Sequence, residues 1–226
     1  MFLGIDTSLG TALAVIDPDG VVRADVSSDN PLGHAEVIGD LLLTVTQAAA
    51  TTAAHGSGLG ADDDARITHV VAGMGPGPFT GLRIGIAAAR AFALARGVPV
   101  VPVASHDAVA LGVLLASTME DADAGTFAVV TDARRREFAY TVYRGLDDDG
   151  LPERVTGPAL SPRDELDDRL AALGAARMDA SAIPATVLAL CGARAVAAGR
   201  SIAADEPLYL RSPDVTSPHA PKRVGS

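Results

Sequence analysis

The sequence predicts an α/β protein of two lobes, and three observations lead there. Strand-like and helix-like hydrophobic patterns alternate along the chain. The opening "FLGIDTSLGTALAVID" is a strand ending in Asp6, a polar turn and a returning strand, and "FAVVTDARRREFAYTVY" (Phe127 to Tyr143) repeats that plan around Asp132. The length, 226 residues, suits one large domain or two small ones. The repeat rests on a single hairpin, a pattern common enough to arise by chance.

Each element has its own signal. Strand-forming residues run from Phe2 to Ile5 and from Thr11 to Ile16, around a turn of Asp6, Thr7, Ser8 and Gly10. "DPDG" at Asp17 to Gly20 is a second turn, leading to a strand around Val21 to Val26. Between His34 and Ala50, Val37, Ile38, Leu41, Leu42 and Val45 keep helical spacing. "TTAAHGSGLGADDD", residues 51–64, reads as a surface loop. "ITHVVAGMG" is a buried strand, the glycine-rich stretch after it starts a helix, and "VPVVPVAS" is another strand. A helix over Ser105 to Ser117 closes the first half. After Tyr143, "RGLDDDGLPERVTGP" reads as a loop with strand fragments, and Asp164 to Leu173 as a helix. From Ala185 the apolar run fits strand or helix equally. The proline-rich end of the chain reads as a tail that is partly disordered alone.

Composition narrows the function classes. Apolar residues make up 48% of the chain, enough for a packed core. Nowhere do 18 consecutive apolar residues occur, and "MFLGIDTS" lacks a basic leader region, so neither a membrane span nor a signal peptide is expected. The single cysteine, Cys191, fits a reducing cytoplasm and a buried structural thiol. The formal charge is −10 and aromatic content only 4%. A lone nucleic-acid binder needs a basic face and stacking rings, so any nucleic acid would be gripped by something else.

The stretch "GMGPGPFTGLRIGIAAARAFALARG", Gly73 to Gly97, is the most unusual. A phosphate cradle needs successive backbone N–H donors, and Pro76 and Pro78 remove two of them. No Gly-Lys-Ser/Thr follows. Gly77 and Pro78 make better sense as a helix start, with proline first inside the helix. In that helix Gly81, Gly85, Ala89 and Ala93 recur every four residues, leaving one smooth side flanked by Leu82, Ile84, Ile86 and Phe92. Each interior glycine costs about 1 kcal/mol relative to alanine, so close backbone approach is its usual reason. Spacing alone divides evenly between the protein's own core and a partner helix.

Asp6, Thr7 and Ser8 offer oxygen ligands for a magnesium–nucleotide pair, with Asp132 as the matching contact in the second lobe; the same residues are also ordinary turn vocabulary. Arg134, Arg135 and Arg136 follow Asp132 where a phosphate chain would want glycine. His34 and Glu36 open a helix, but position 38 is isoleucine where a His-x-x-x-His metal pair needs its second ligand. No Cys/His cluster and no Gly-x-Ser-x-Gly elbow occurs. These observations favour turn and capping roles for these residues over nucleotide or metal binding. The first turn of that helix favours an acid such as Glu36.

Taken in order, "GIDTS", "HAE" (His34 to Glu36), "GMGPGPFTGLRIGIAAARAFA", "DARRREFAYTVY" and "PLYLRSPDV" resemble the TsaB (YeaZ) family, which serves bacterial tRNA threonylcarbamoyladenosine synthesis. The resemblance implies an actin-like ATPase (ASKHA) fold, two lobes with mixed sheets flanked by helices. The second lobe is expected to be reduced, with the lobes divided as 1–104 and 105–226. It implies a non-catalytic subunit that binds and stabilises a catalytic paralogue, TsaD. That paralogue transfers threonylcarbamoyl to the adenosine next to the anticodon in tRNAs reading codons that begin with A. TsaE would join a larger complex, tRNA would be met only through the complex, and the same surface could form a homodimer. No cofactor is implied. His34 matches the first histidine of the TsaD-like metal motif and Ile38 replaces the second. The family's helix contacts tip the glycine strip towards a partner, placing Phe79, Thr80, Gly81, Leu82, Arg83, Gly85, Ile86 and Ala89 at that interface. Asp6, Thr7, Ser8 and Asp132 become possible vestigial nucleotide contacts. Residues 51–64 and the tail after Val215 depart from the compact family pattern. The alternative is a small actin-fold ATPase or sugar kinase that acts alone through Asp6 and Asp132; a metallopeptidase, the third reading, lacks its second ligand.

Overall fold

A computed structural model describes residues 1–28, 33–56 and 66–211, with side chains of 53–56 excepted. The first sheet has the order β3-β2-β1-β4-β5, built from β1 (Phe2–Asp6), β2 (Thr11–Ile16), β3 (Val22–Ser28), β4 (His69–Gly73) and β5 (Val100–Val103). The second has the order β8-β7-β6-β9, from β6 (Phe127–Asp132), β7 (Glu137–Leu146), β8 (Pro152–Pro162) and β9 (Ala176–Asp179). In both lobes the first strand pairs antiparallel with the second and parallel with the fourth. The duplication read from one hairpin therefore extends through four strands of each sheet. The helices are α1 (His34–Gly56), α2 (Phe79–Arg96), α3 (Ser105–Met119), α4 (Leu166–Ala172) and α5 (Ala185–Ala197).

Strand alternation sends neighbouring side chains to opposite faces, and both faces of the first sheet are covered. Leu3, Ile5, Leu13 and Val15 meet Ile38 and Val45 of α1 and Leu82 and Ile86 of α2. Phe2, Ile16, Val71 and Val103 meet Leu111 of α3 and Leu188 and Cys191 of α5. In the second sheet, Ala128, Val130 and Tyr140 pack on Leu166 and Leu170 of α4. Phe127, Val129 and Tyr143 pack on Ala110 and Leu114 of α3. So α3 lies between α5 on one side and the second sheet on the other.

Several sequence expectations are corrected here. α1 continues to Gly56, past the expected loop start at residue 51; within it the Thr51 hydroxyl is satisfied by bonding back to the Gln47 carbonyl at 3.0 Å. The remainder of that stretch, from residue 57 to 64, lies outside the described residues, as does the tail after Val215. The expected loop after Tyr143 is two long paired strands, with the chain reversing only at Asp147–Gly150. Ala185 begins a helix. Pro78 is the N-cap of α2, in extended backbone, rather than its first helical residue. A division at 104/105 assigns α5 to the second lobe, whereas in space α5 completes the first.

Candidate functional site: the aspartate turn and the cleft beside it

The β1–β2 turn is held from all sides. The Ser8 amide donates to Asp6 Oδ1 at 2.7 Å, and the Ser105 hydroxyl, at the start of α3, donates to Asp6 Oδ2. Ser105 Oγ also accepts the Gly75 amide at 3.1 Å and lies 2.8 Å from Ser8 Oγ. Burial pushes the Asp6 carboxyl above its ordinary pKa, against the lowering pull of these hydrogen bonds. Thr7 Oγ1 donates to the Gly81 carbonyl, and Thr11 Oγ1 lies 2.8 Å from His34 Nδ1. The turn is thus tied to α1, α2 and α3 at once.

This packing explains the glycines. A β-carbon at Gly73 would stand 1.9 Å from Asp6 Oδ2, one at Gly77 2.9 Å from Ser8 Cα, one at Gly81 2.6 Å from the Thr7 carbonyl oxygen, and one at Gly85 2.1 Å from Thr7 Oγ1. Four glycines at intervals of four residues all press on the three residues Asp6, Thr7 and Ser8. Leu82, Ile86, Ala89 and Ala93 are likewise buried in the core of this same chain. The expectation that the strip of Gly81, Leu82, Gly85, Ile86 and Ala89 lies bare for a partner helix is corrected: the close backbone approach is intramolecular. Of the residues expected at the interface, only Thr80 and Arg83 are exposed, with Phe79 half-buried beside them.

A cleft of about 630 Å³ opens next to the turn, between the N-terminal ends of α1 and α2 and the β6–β7 turn. Phe79, Ile84 and Leu160 give it apolar walls, while His34, Asp132 and Arg134 bring polar groups. Asp132 lines this cleft and Asp6 does not, so the two aspartates expected as a nucleotide pair do not converge on it. Asp132 is more than half exposed, accepts the Arg134 amide at 2.7 Å and pairs with Arg163 at 2.8 Å. The Arg134 amide bond, with Arg163 adding to it, holds its carboxyl below the usual range. Arg134, Arg135 and Arg136 each take positive φ, an arrangement that side-chain-bearing residues seldom adopt in succession. Ile38, at the position of the absent second histidine, is buried in the apolar core. Among the described residues, no group of three or more His, Cys, Asp or Glu side chains could hold a metal ion.

Two features escaped the sequence reading. At the start of α3, His106 is buried with its ring nitrogens 2.9 Å from Thr141 Oγ1 and 3.0 Å from Thr131 Oγ1. Burial, helped by the nearby Arg154 charge, pushes its pKa down to about 3, so the ring is neutral, donating at one nitrogen and accepting at the other. Its neighbour Asp107 accepts from Tyr143 Oη at 2.7 Å and from both Nε and Nη2 of Arg154. These side chains join α3 to the second sheet. The second feature is a strap of residues 205–211. The Leu208 amide donates to the Met74 carbonyl at 2.7 Å, Asp205 pairs with Arg90, and Arg211 pairs with Glu137 of the second lobe. Sequence distance hid both, since no local pattern links position 107 to 154 or 83 to 209.

Two lobes of matching strand order, with the aspartate turn and a cleft beside it, define an actin-like ATPase fold. Residues 48–198 match the family model for TsaD, tRNA N6-adenosine threonylcarbamoyltransferase, and the chain belongs to that family. It is 38% identical over 167 residues to an uncharacterized protein of Mycobacterium bovis, a match covering 73% of this chain and 66% of the relative. An uncharacterized protein of Mycobacterium leprae is 36% identical over 140 residues, covering 62% of this chain and 30% of that protein. The chain therefore spans just under two thirds of the first relative's length. YeaZ from Pseudomonas aeruginosa shares the fold with a TM-score of 0.67 at 23% identity, over 92% of this chain and 99% of YeaZ. A second Pseudomonas aeruginosa structure, described as an uncharacterized protein with similarity to peptidase YeaZ, gives 0.65 at 24% identity, over 93% and 99%. Among the described residues, no helix is long and apolar enough to cross a membrane.

Proposed function

We propose that this chain is a non-catalytic subunit of the tRNA threonylcarbamoylation system, binding and stabilising the catalytic paralogue TsaD. The modification is that of the adenosine next to the anticodon in tRNAs reading codons that begin with A. In this reading TsaE joins a larger complex, tRNA is met only through that complex, and the assembly works in the cytoplasm. A homodimer through the partner-binding surface is possible.

One observation carries the non-catalytic part of the reading. Within a chain of the TsaD family, the site of the second helical histidine holds Ile38, packed in the core, while the remaining His34 faces Thr11. A metal-binding helix needs both imidazoles on one accessible face. The Asp6 carboxylate supports the same view, because Ser8 and Ser105 already occupy both its oxygens.

The test is a reconstituted modification assay with the matching TsaD, TsaE and threonylcarbamoyl-adenylate-forming enzyme, with and without this chain. Modification is expected to depend on its presence, and purified chain alone is expected to hydrolyse no ATP. Equal modification without it would overturn the reading; ATP turnover by the chain alone would favour the actin-fold ATPase or sugar kinase instead.

A further inference from the structure

The two lobes are joined differently along their two sides. On one side α3 meets the second sheet through buried groups, His106 with Thr131 and Thr141, and Asp107 with Tyr143 and Arg154. On the other side the lobes part to form the cleft, and Tyr209, Leu210 and Arg211 of the strap line it. The strap therefore runs from one lobe to the other along the open side. Its two ends are held by different kinds of contact. On the first lobe, Arg90 donates to the Asp205 carbonyl at 2.6 Å and to its carboxylate at 3.0 Å. Leu208 packs on the first core while its amide donates to the Met74 carbonyl, and Tyr209 Oη accepts from Arg83 Nε at 3.0 Å. The strap reaches the second lobe through the ion pair of Arg211 with Glu137, the first residue of β7. The side chains of that pair are 33% and 29% exposed. An apolar anchor with a backbone hydrogen bond persists in salt, whereas a partly exposed ion pair is weak and readily screened.

We propose that residues 205–211 are a clasp on the cleft: fixed to the first lobe, the strap holds the second through Arg211 and Glu137, and the cleft widens when that pair separates. Two bodies joined along one edge can rotate about it unless their free edges are tied. Here the joined edge is α3 with its buried bonds, and the tie is one ion pair. Its modest strength suits a switch, because the pair can be released by ionic competition without unfolding either lobe. Asp205 and Leu208 keep the strap on the first lobe in both states. What changes is the distance between the lobes, and with it access to the cleft wall where His34 and Asp132 lie. This device stands independently of the subunit reading above.

Electron spin–spin distance measurement between labels on the two lobes of the full chain tests this. Cys191 is buried, so cysteines introduced at the exposed Asp40 of α1 and Asp164 of the second lobe take the labels. Dilution into unlabelled chain removes distances between molecules. At low salt the otherwise unaltered chain is expected to give one narrow distance. Glu137→Gln and Arg211→Ala are each expected to lengthen and broaden it. Reversing the pair, with Glu137→Arg and Arg211→Glu together, is expected to restore the narrow distance. Salt of about 1 M, which cuts the screening length to about 3 Å, is expected to lengthen the distance in the chain with the native pair and to leave Arg211→Ala where it is. Unchanged distances in both single variants would overturn the clasp. Broadening in the single variants without recovery in the reversed pair would overturn Arg211–Glu137 as its closing contact. A native-pair distance indifferent to salt would overturn its release by ionic competition.

Discussion

Thr7 and Gly85 meet so closely that a single added carbon would bring the helix and the turn into collision: a β-carbon there would stand 2.1 Å from Thr7 Oγ1 and 2.9 Å from Cγ2. The same hydroxyl holds the Gly81 carbonyl one turn earlier at 2.7 Å. Position and hydrogen bond are therefore coupled, and α2 cannot slide without releasing both.

Gly85→Ala is expected to destabilise the chain by about 2–4 kcal/mol, through overpacking and a displaced hydrogen bond. Urea denaturation measures it. Thr7→Ala in the same background is expected to recover part of the loss, giving a non-additive pair. Gly39→Ala is the contrasting case, with nothing within 4 Å of its β-carbon on α1, and is expected to stabilise by about 0.5–1 kcal/mol. Equal effects at the two glycines would contradict the packing described here.

Arg154→Met leaves the buried Asp107 carboxylate without its cation. The Asp107 side chain is only 4% exposed and that of Arg154 29%. Breaking such a pair from one side costs about 3–5 kcal/mol, discounted toward the lower value for the partly exposed arginine. Chemical denaturation of the variant is expected to show that loss, and Arg154→Lys part of it, since lysine lacks the fork that spans both carboxylate oxygens.

Stability is expected to fall as pH drops below 6.5. His106 has its folded pKa lowered to about 3 from 6.5, so in that window the unfolded chain binds a proton that the folded chain refuses. At full development the effect is up to about 5 kcal/mol. Asp6 acts with the opposite sign: its folded pKa is raised, so above 3.8 its burial weakens the fold as pH rises towards the folded value. Urea midpoints of wild type and His106→Gln across pH 4 to 7 separate the two, because the variant should lose the histidine slope and keep the aspartate one.

Asp6→Asn keeps an acceptor for the Ser8 amide and disturbs the bonds that Oδ2 accepts from the Ser105 and Ser8 hydroxyls. A loss of about 1–2 kcal/mol in stability is expected. In the reconstituted assay the folded variant is expected to support tRNA modification near the wild-type level. A large loss of modification with the complex intact would instead assign Asp6 a nucleotide-handling role.

The hairpins were legible because β1, β2, β6 and β7 are short, mostly apolar runs, buried along most of their length, that bracket polar turns. β8 was hidden by Pro152, Pro158 and Pro162, which this strand tolerates because it lies at the sheet edge. β9 is a short edge strand with mostly exposed residues, so it has no apolar signature. α5 is buried against the sheet and against α3, which erased the polar face that would have separated helix from strand. The glycine spacing announced a close approach, but the residues approached, Asp6 to Ser8, lie some seventy positions earlier. No window of sequence contains both sides of that contact.

The place of α5 has a consequence for biosynthesis. Phe2, Ile16, Val71 and Val103 emerge early from the ribosome, yet Leu188 and Cys191, which cover them, are made near the end of the described chain. A nascent chain halted before residue 185 carries a sheet with one face covered only in part, by α3. Over that interval the uncovered apolar surface is open to chaperones and to self-association.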